Sequence, residues 1–90
     1  MRILKLKKQF KKDFKRSNRN SRHDISKLAY VVDLLTEEGE LPEKYRSHQL
    51  VGNWTPKLEC HVQSDFLLIY EVDDMNVILY RCGSHAELFY

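Results

Sequence analysis

The chain has 90 residues, which suits one domain over residues 1–90 with a small single core. No apolar run reaches the length of a membrane span, and the start, Met1-Arg2-Ile3-Leu4-Lys5-Leu6-Lys7-Lys8, is too polar for a signal peptide, so the sequence predicts a soluble cytoplasmic protein with no membrane partner. The net charge of +2 hides a lopsided distribution: residues 1–27 hold eleven Lys/Arg against two Asp/Glu, and residues 28–90 hold four against eleven. A basic half suits a polyanionic partner, or equally a solvated helix face.

Ile3-Leu4-Lys5-Leu6 reads as a first strand at a sheet edge. From Lys8 to about Arg19 the pattern is helical. Phe10 and Phe14, four apart, form a narrow apolar stripe, and Lys7, Lys8, Lys11, Lys12, Lys15 and Arg16 cover the rest. Ser17-Asn18-Arg19-Asn20 breaks it. A second helix is expected to start near Ser21, a capping serine with Asp24 three residues on. Ile25, Leu28, Val32 and Leu35 recur at helical spacing, with Ala29 and Val31 beside them, and Gly39 followed by Leu41-Pro42 ends the run. His23 falls on the polar side and is expected at the surface.

Residues 43–54 form a linker that includes a candidate short strand over 45–50, a turn at Gly52-Asn53, and Trp54 as a packing anchor. Residues 57–83 then read as a three-strand meander, with turns at Ser64-Asp65 and Asp73-Asp74-Met75-Asn76 and a close at Gly83. Two-residue turns place His61 opposite Leu68 and Leu68 opposite Arg81. On that register one face carries His61, Gln63, Phe66, Leu68, Tyr70, Val77, Leu79 and Arg81. The greasier face carries Leu58, Cys60, Val62, Leu67, Ile69, Ile78, Tyr80 and Cys82, and is assigned to the core. Cys60 and Cys82 then sit two strand spacings apart, roughly 9–10 Å. A disulfide needs Cα atoms within about 7 Å, so both are expected as free buried thiols. The tail, 84–90, is short, with Leu88 or Phe89 available to tuck onto the sheet. Two amphipathic helices on one face of a mainly antiparallel twisted four-stranded sheet make the expected fold α+β.

His48, His61 and His85 lie in or beside the meander together with Asp65 and Arg81. On the expected register His61 and Arg81 share a cross-strand row. Histidines that titrate near neutrality supply a general base and acid, and an arginine can hold a phosphate. That inventory suits metal-independent RNA cleavage, in which a ribose 2′-OH attacks the adjacent phosphate. A zinc site built from His48, His61, His85 and Asp65 is the competing chemistry. Their spacing matches no compact metal motif, and Arg81 would repel a cation, so no metal and no cofactor are expected. On residue types alone, unrelated surface histidines remain an equal alternative.

Three stretches carry a resemblance: His48-x-Leu50-x-Gly52-x-Trp54, then Cys60-His61-Val62-x-x-Asp65-Phe66-Leu67-Leu68-Ile69-Tyr70, then Arg81-x-Gly83-x-His85-x-x-Leu88-Phe89. Together with the basic first helix they resemble, over nearly the full length, the YafQ-like branch of the RelE superfamily of type II toxin–antitoxin toxins. Phe66 stands where the family can carry a tryptophan, and Tyr90 extends past the C-terminal aromatic. The resemblance implies an mRNA interferase, a metal-independent endoribonuclease that cuts mRNA in the ribosomal A site and is neutralised by a cognate antitoxin. Operator DNA would be met only through the antitoxin complex. The family's active-site histidines fall on His48, His61 and His85, its acidic catalytic residue on Asp65, its phosphate-steadying arginine on Arg81 and its C-terminal aromatic on Phe89. Lys8, Lys11, Lys12, Lys15 and Arg16, with Arg46 and Lys57, would attract ribosomal RNA. The alternative reading is a non-catalytic nucleic-acid- or ribosome-binding module of the same fold.

Overall fold

The computed structural model describes residues 1–54 and 56–89, with the backbone alone for Trp54. In chain order the elements are β1 (Ile3–Leu6), α1 (Lys8–Asn18), α2 (Ile25–Glu38), β2 (His48–Gln49), β3 (Leu58–Gln63), β4 (Phe66–Val72), β5 (Asn76–Gly83) and α3 (His85–Phe89). Single turns of 3-10 helix lie at Glu43–Tyr45 and Gly52–Trp54. The expected anchoring side chain of Trp54, and the extension at Tyr90, fall outside the described residues. The sheet runs β1-β5-β4-β3-β2, with β1 parallel to β5 and the other pairs antiparallel. The four expected strands become five because the short segment His48–Gln49 pairs with Leu58 and Glu59. No helix among the described residues is long and apolar enough to cross a membrane.

Helix α1 buries Phe10, Asp13 and Ser17, a spacing of three and four that puts all three on one face. Helix α2 buries Leu28, Val31 and Leu35. Its start differs from expectation. Asp24, not Ser21, is the cap: its Oδ1 accepts from the backbone N–H of Ser26 at 3.0 Å and of Lys27 at 3.4 Å. A cap must directly precede the first turn, and residues 21–23 are used instead to bend the chain, the His23 N–H donating to the Asn20 carbonyl. The Asp24 N–H donates to Gln63 Oε1 at 2.9 Å, which ties this corner to β3. His23 is thereby drawn inward. It is 9% exposed and stacks on the Phe66 ring at 4.2 Å with the planes 1° apart, so its expected surface position is corrected. Gly39 closes α2 in the left-handed conformation, φ 78°, donating to the Leu35 carbonyl.

Both meander turns fall where expected, with Gln63 paired to Phe66 and Val72 to Val77. The faces differ, because two bulges intervene. One lies between His61 and Gln63 and shifts the pairing to His61 opposite Leu67; the other, at Tyr80, sets Ile69 opposite Arg81. Each extra residue reverses the side on which later residues point. Phe66, Leu68, Tyr70, Val77 and Leu79 therefore join Cys60, Val62 and Cys82 against the helices, in one core with Phe10, Leu28, Val31 and Leu35. Leu67 and Ile69 turn to the opposite face, where Leu88 of α3 buries them alongside Leu50 and Tyr80. Cys60, Leu68 and Cys82 share one row, and both thiols are free and buried, with burial pushing each up to about 12.

Candidate active site

The second face of the sheet brings three histidines into a row. The rings of His48 and His61 lie 6.4 Å apart, and those of His61 and His85 5.9 Å apart. His48 comes from β2, His61 from the bulge of β3, and His85 from the first position of α3. Sequence reading left that last helix as a tail, yet Ser84-His85-Ala86-Glu87 is a capping box: Glu87 Oε1 accepts from the Ser84 N–H at 2.9 Å, and Ser84 Oγ from the Glu87 N–H at 3.2 Å. The box sets His85 against the β3–β4 turn, where Asp65 Oδ1 accepts from its backbone N–H at 2.9 Å and from Nδ1–H at 2.7 Å. With Nδ1 committed, Nε2 is the ring atom left for proton transfer. The two bonds from His85 hold the Asp65 carboxyl below the usual carboxylate range.

Two groups that sequence reading did not place in this chemistry complete the row. Glu59 is 5% exposed, with Oε1 3.3 Å from His48 Nε2 and 3.9 Å from His61 Nε2. The strict alternation of β3 marked it as polar, but only the β2 pairing, His48 opposite Glu59, buries it beneath two imidazoles. Arg46, expected as an RNA contact, donates from Nη2 to His61 Nδ1 at 3.1 Å, and its carbonyl accepts from His48 Nδ1–H at 3.0 Å. It does so from the left-handed region, φ 50° and ψ 45°, an uncommon conformation for a residue with a Cβ. Burial first, then the Arg46 charge, push His61 below the ordinary histidine value. In the neutral ring Nδ1 accepts from Arg46, which leaves the ring proton on Nε2, facing Glu59. The expected result of an NMR titration is a His61 midpoint below that of a free imidazole. In Arg46→Ala it should move upward, since a cation that disfavours imidazolium is gone; an unchanged midpoint would reject the assignment.

Arg81 does not share a row with His61. Its row holds Ile69 and Glu59, and the bulge at Tyr80 sends its guanidinium toward α1. There Nε meets Asp13 Oδ2 at 2.7 Å and Nη2 meets Oδ1 at 3.1 Å. Asp13 also accepts from Arg16 Nη2 at 3.1 Å and from the Cys82 N–H at 3.3 Å. Burial raises the Asp13 carboxyl, but the bonds from Arg81 and Gln9, with the Arg81 charge, outweigh it and leave the group below its ordinary value. Arg16 pairs further with Glu87 Oε2 at 2.8 Å, so this expected RNA contact also fastens α3 to α1. Lys8, Lys11, Lys12 and Lys15 are exposed, whereas Lys57 lies over the Tyr80 ring at 4.5 Å. Phe89, at the end of α3, is 39% exposed. Among the described residues, no three His, Cys, Asp or Glu side chains are grouped to hold a metal ion.

The family model described as bacterial toxin of type II toxin-antitoxin system, YafQ, matches residues 2–90. The mRNA interferase toxin YafQ of Escherichia coli strain K12 is 37% identical over 82 residues, covering 90% of this chain and 88% of that protein. YafQ from E. coli BL21(DE3) superposes with a TM-score of 0.90 at 33% identity, over all of both chains. The E. coli DinJ-YafQ toxin-antitoxin complex gives 0.88 at 34%, covering 99% of this chain and 98% of that one. A metal-bound toxin from Helicobacter pylori gives 0.86 at 37%, covering 99% and 100%. Family match and relative together define an enzyme, an endoribonuclease of the bacterial toxin class. Within that class, the chain belongs to the YafQ family of type II toxin–antitoxin toxins.

Proposed function

We propose that this toxin cuts messenger RNA in the ribosomal A site by metal-independent acid–base chemistry, and that a cognate antitoxin neutralises it. The His85–Asp65 pair, 5.9 Å ring to ring from His61, is the observation that carries the reading. One imidazole removes the 2′-OH proton as that oxygen bonds to phosphorus. A second protonates the 5′-oxygen as its bond to phosphorus breaks, leaving a 2′,3′-cyclic phosphate and a free 5′-hydroxyl. His48 and Glu59 flank the row and shuttle or orient protons. Arg46, bonded to His61, is the cation at the row, Arg81 adds positive charge from its pair with Asp13 to steady the phosphate, and Phe89 offers a ring to a base. The E. coli relative solved with DinJ supports an antitoxin partner, through which operator DNA would be reached, and a cytoplasmic site of action follows from a ribosomal target.

Primer extension on one mRNA, translated in vitro or free, tests the proposal, using toxin dialysed beforehand against a chelator. Cuts confined to the translated message support it; equal cutting of free message removes the ribosome, and loss of cutting after dialysis removes the metal-free chemistry. The exposed lysines of α1 give a second expectation. Lys11→Glu combined with Lys12→Glu should weaken ribosome association about tenfold or more at physiological salt, and flatten its log–log salt dependence by about 0.7–0.9 per lost phosphate contact. Sedimentation with ribosomes across a salt series reads both.

A further inference from the structure

A pocket of about 580 Å³ opens beside the histidine row, on the α2 side of His61. Its walls come from the first turns of α2, the 3-10 turn at 43–45 and the bulged end of β3. Three cations line it, Lys27, Lys44 and Arg46, together with His61, and none of its lining residues is acidic. Lys27 and Lys44 are exposed and form no ion pair among the described contacts, while Arg46 touches His61 directly. Two tyrosines complete the pocket. Tyr45 is buried as its floor and carries Lys44 Nζ 5.2 Å above its ring, whereas Tyr30 is 57% exposed on α2 with its ring available.

Cations interleaved with an open aromatic ring are what a single-stranded nucleic acid requires: the charges hold phosphates, and the ring stacks a base. The volume falls within the range of small-ligand pockets. Resting on the nuclease reading above, we infer that this pocket is a subsite for the nucleotide flanking the scissile phosphate. Lys27 and Lys44 hold its phosphate, Tyr30 stacks its base, and Arg46 links the subsite to His61. The strand then runs from the histidine row across Arg46 toward α2.

The test compares wild type with Tyr30→Ala, Tyr30→Phe and the double variant Lys27→Ala/Lys44→Ala. Each is assayed for cleavage of translated message, for affinity toward a labelled oligoribonucleotide and for affinity toward the antitoxin. Tyr30→Ala should lose about tenfold or more in cleavage efficiency, mostly in KM, with altered preference at the neighbouring base, and Tyr30→Phe should restore it. The lysine variant should bind the oligoribonucleotide more weakly, with a shallower salt slope. Wild-type cleavage and oligoribonucleotide binding in all variants would overturn the subsite. So would weakened antitoxin affinity alone, which would give the pocket to an acidic peptide. Absence of cleavage by wild type would remove the nuclease reading and the subsite with it.

Discussion

His85→Ala is expected to lower cleavage of translated message by about 10²–10⁴-fold, the usual range for a positioned acid or base, and to abolish toxicity on induction. The loss should come without unfolding, because the His85 side chain is half exposed and bonds to Asp65, itself an exposed turn residue. Asp65→Ala should follow closely, since it frees the His85 ring to rotate and unsettles which nitrogen carries the proton. The two losses should not add: once the pair is broken, removing its second member changes little. Near-wild-type cutting by His85→Ala would move the chemistry to His61 and His48. Acidification should act through the histidines before Asp65, because the bonds from His85 keep that carboxylate ionised below its ordinary range. The acid limb of the rate profile therefore belongs to an imidazole, and should survive in Asp65→Asn at lower amplitude.

Asp13→Ala is expected to be the most destabilising single change away from the histidines. It strands the Arg81 guanidinium and the Cys82 N–H, and releases Arg16, which holds α3 through Glu87. Breaking a buried pair by removing one partner costs about 3–5 kcal/mol, and for a chain of this size that lowers Tm by more than ~10 °C. Urea denaturation reads the effect, and a double-mutant cycle with Arg81→Ala isolates the pair. A cost below about 1 kcal/mol would show that water replaces the lost carboxylate. The pH dependence has a definite sign. The Asp13 pKa is depressed in the folded protein, so its contribution is present above the unfolded carboxylate value, about 3.9, and is lost as pH falls through the lower folded value. Wild type should therefore shed stability in strong acid along a limb that Asp13→Asn lacks.

Local pattern alone was enough to place α1, the body and end of α2, both meander turns and the edge position of β1, because each depends on neighbours in sequence: the Phe10 and Leu28 stripes, the Gly39 stop, and the Asp-rich turn at 73–76. The residues proposed for the chemistry, His48, His61, Asp65 and His85, could be picked out by type. What they touch could not. Two bulges, neither marked by a glycine, turned β4 over and moved Arg81 away from His61 to Asp13. Asp13 itself, an acid in a run of lysines, reads locally as a solvated charge; only packing α1 across β5 buries it. Glu59 and His23 were hidden in the same way, one by the β2 pairing and the other by the Asp24–Gln63 tie. The sequence by itself thus determined which elements form and which side chains can move a proton. The tertiary structure decided which carboxylate meets which cation, because strand register and helix docking are set by long-range burial, and one extra residue in a strand reverses every side chain beyond it.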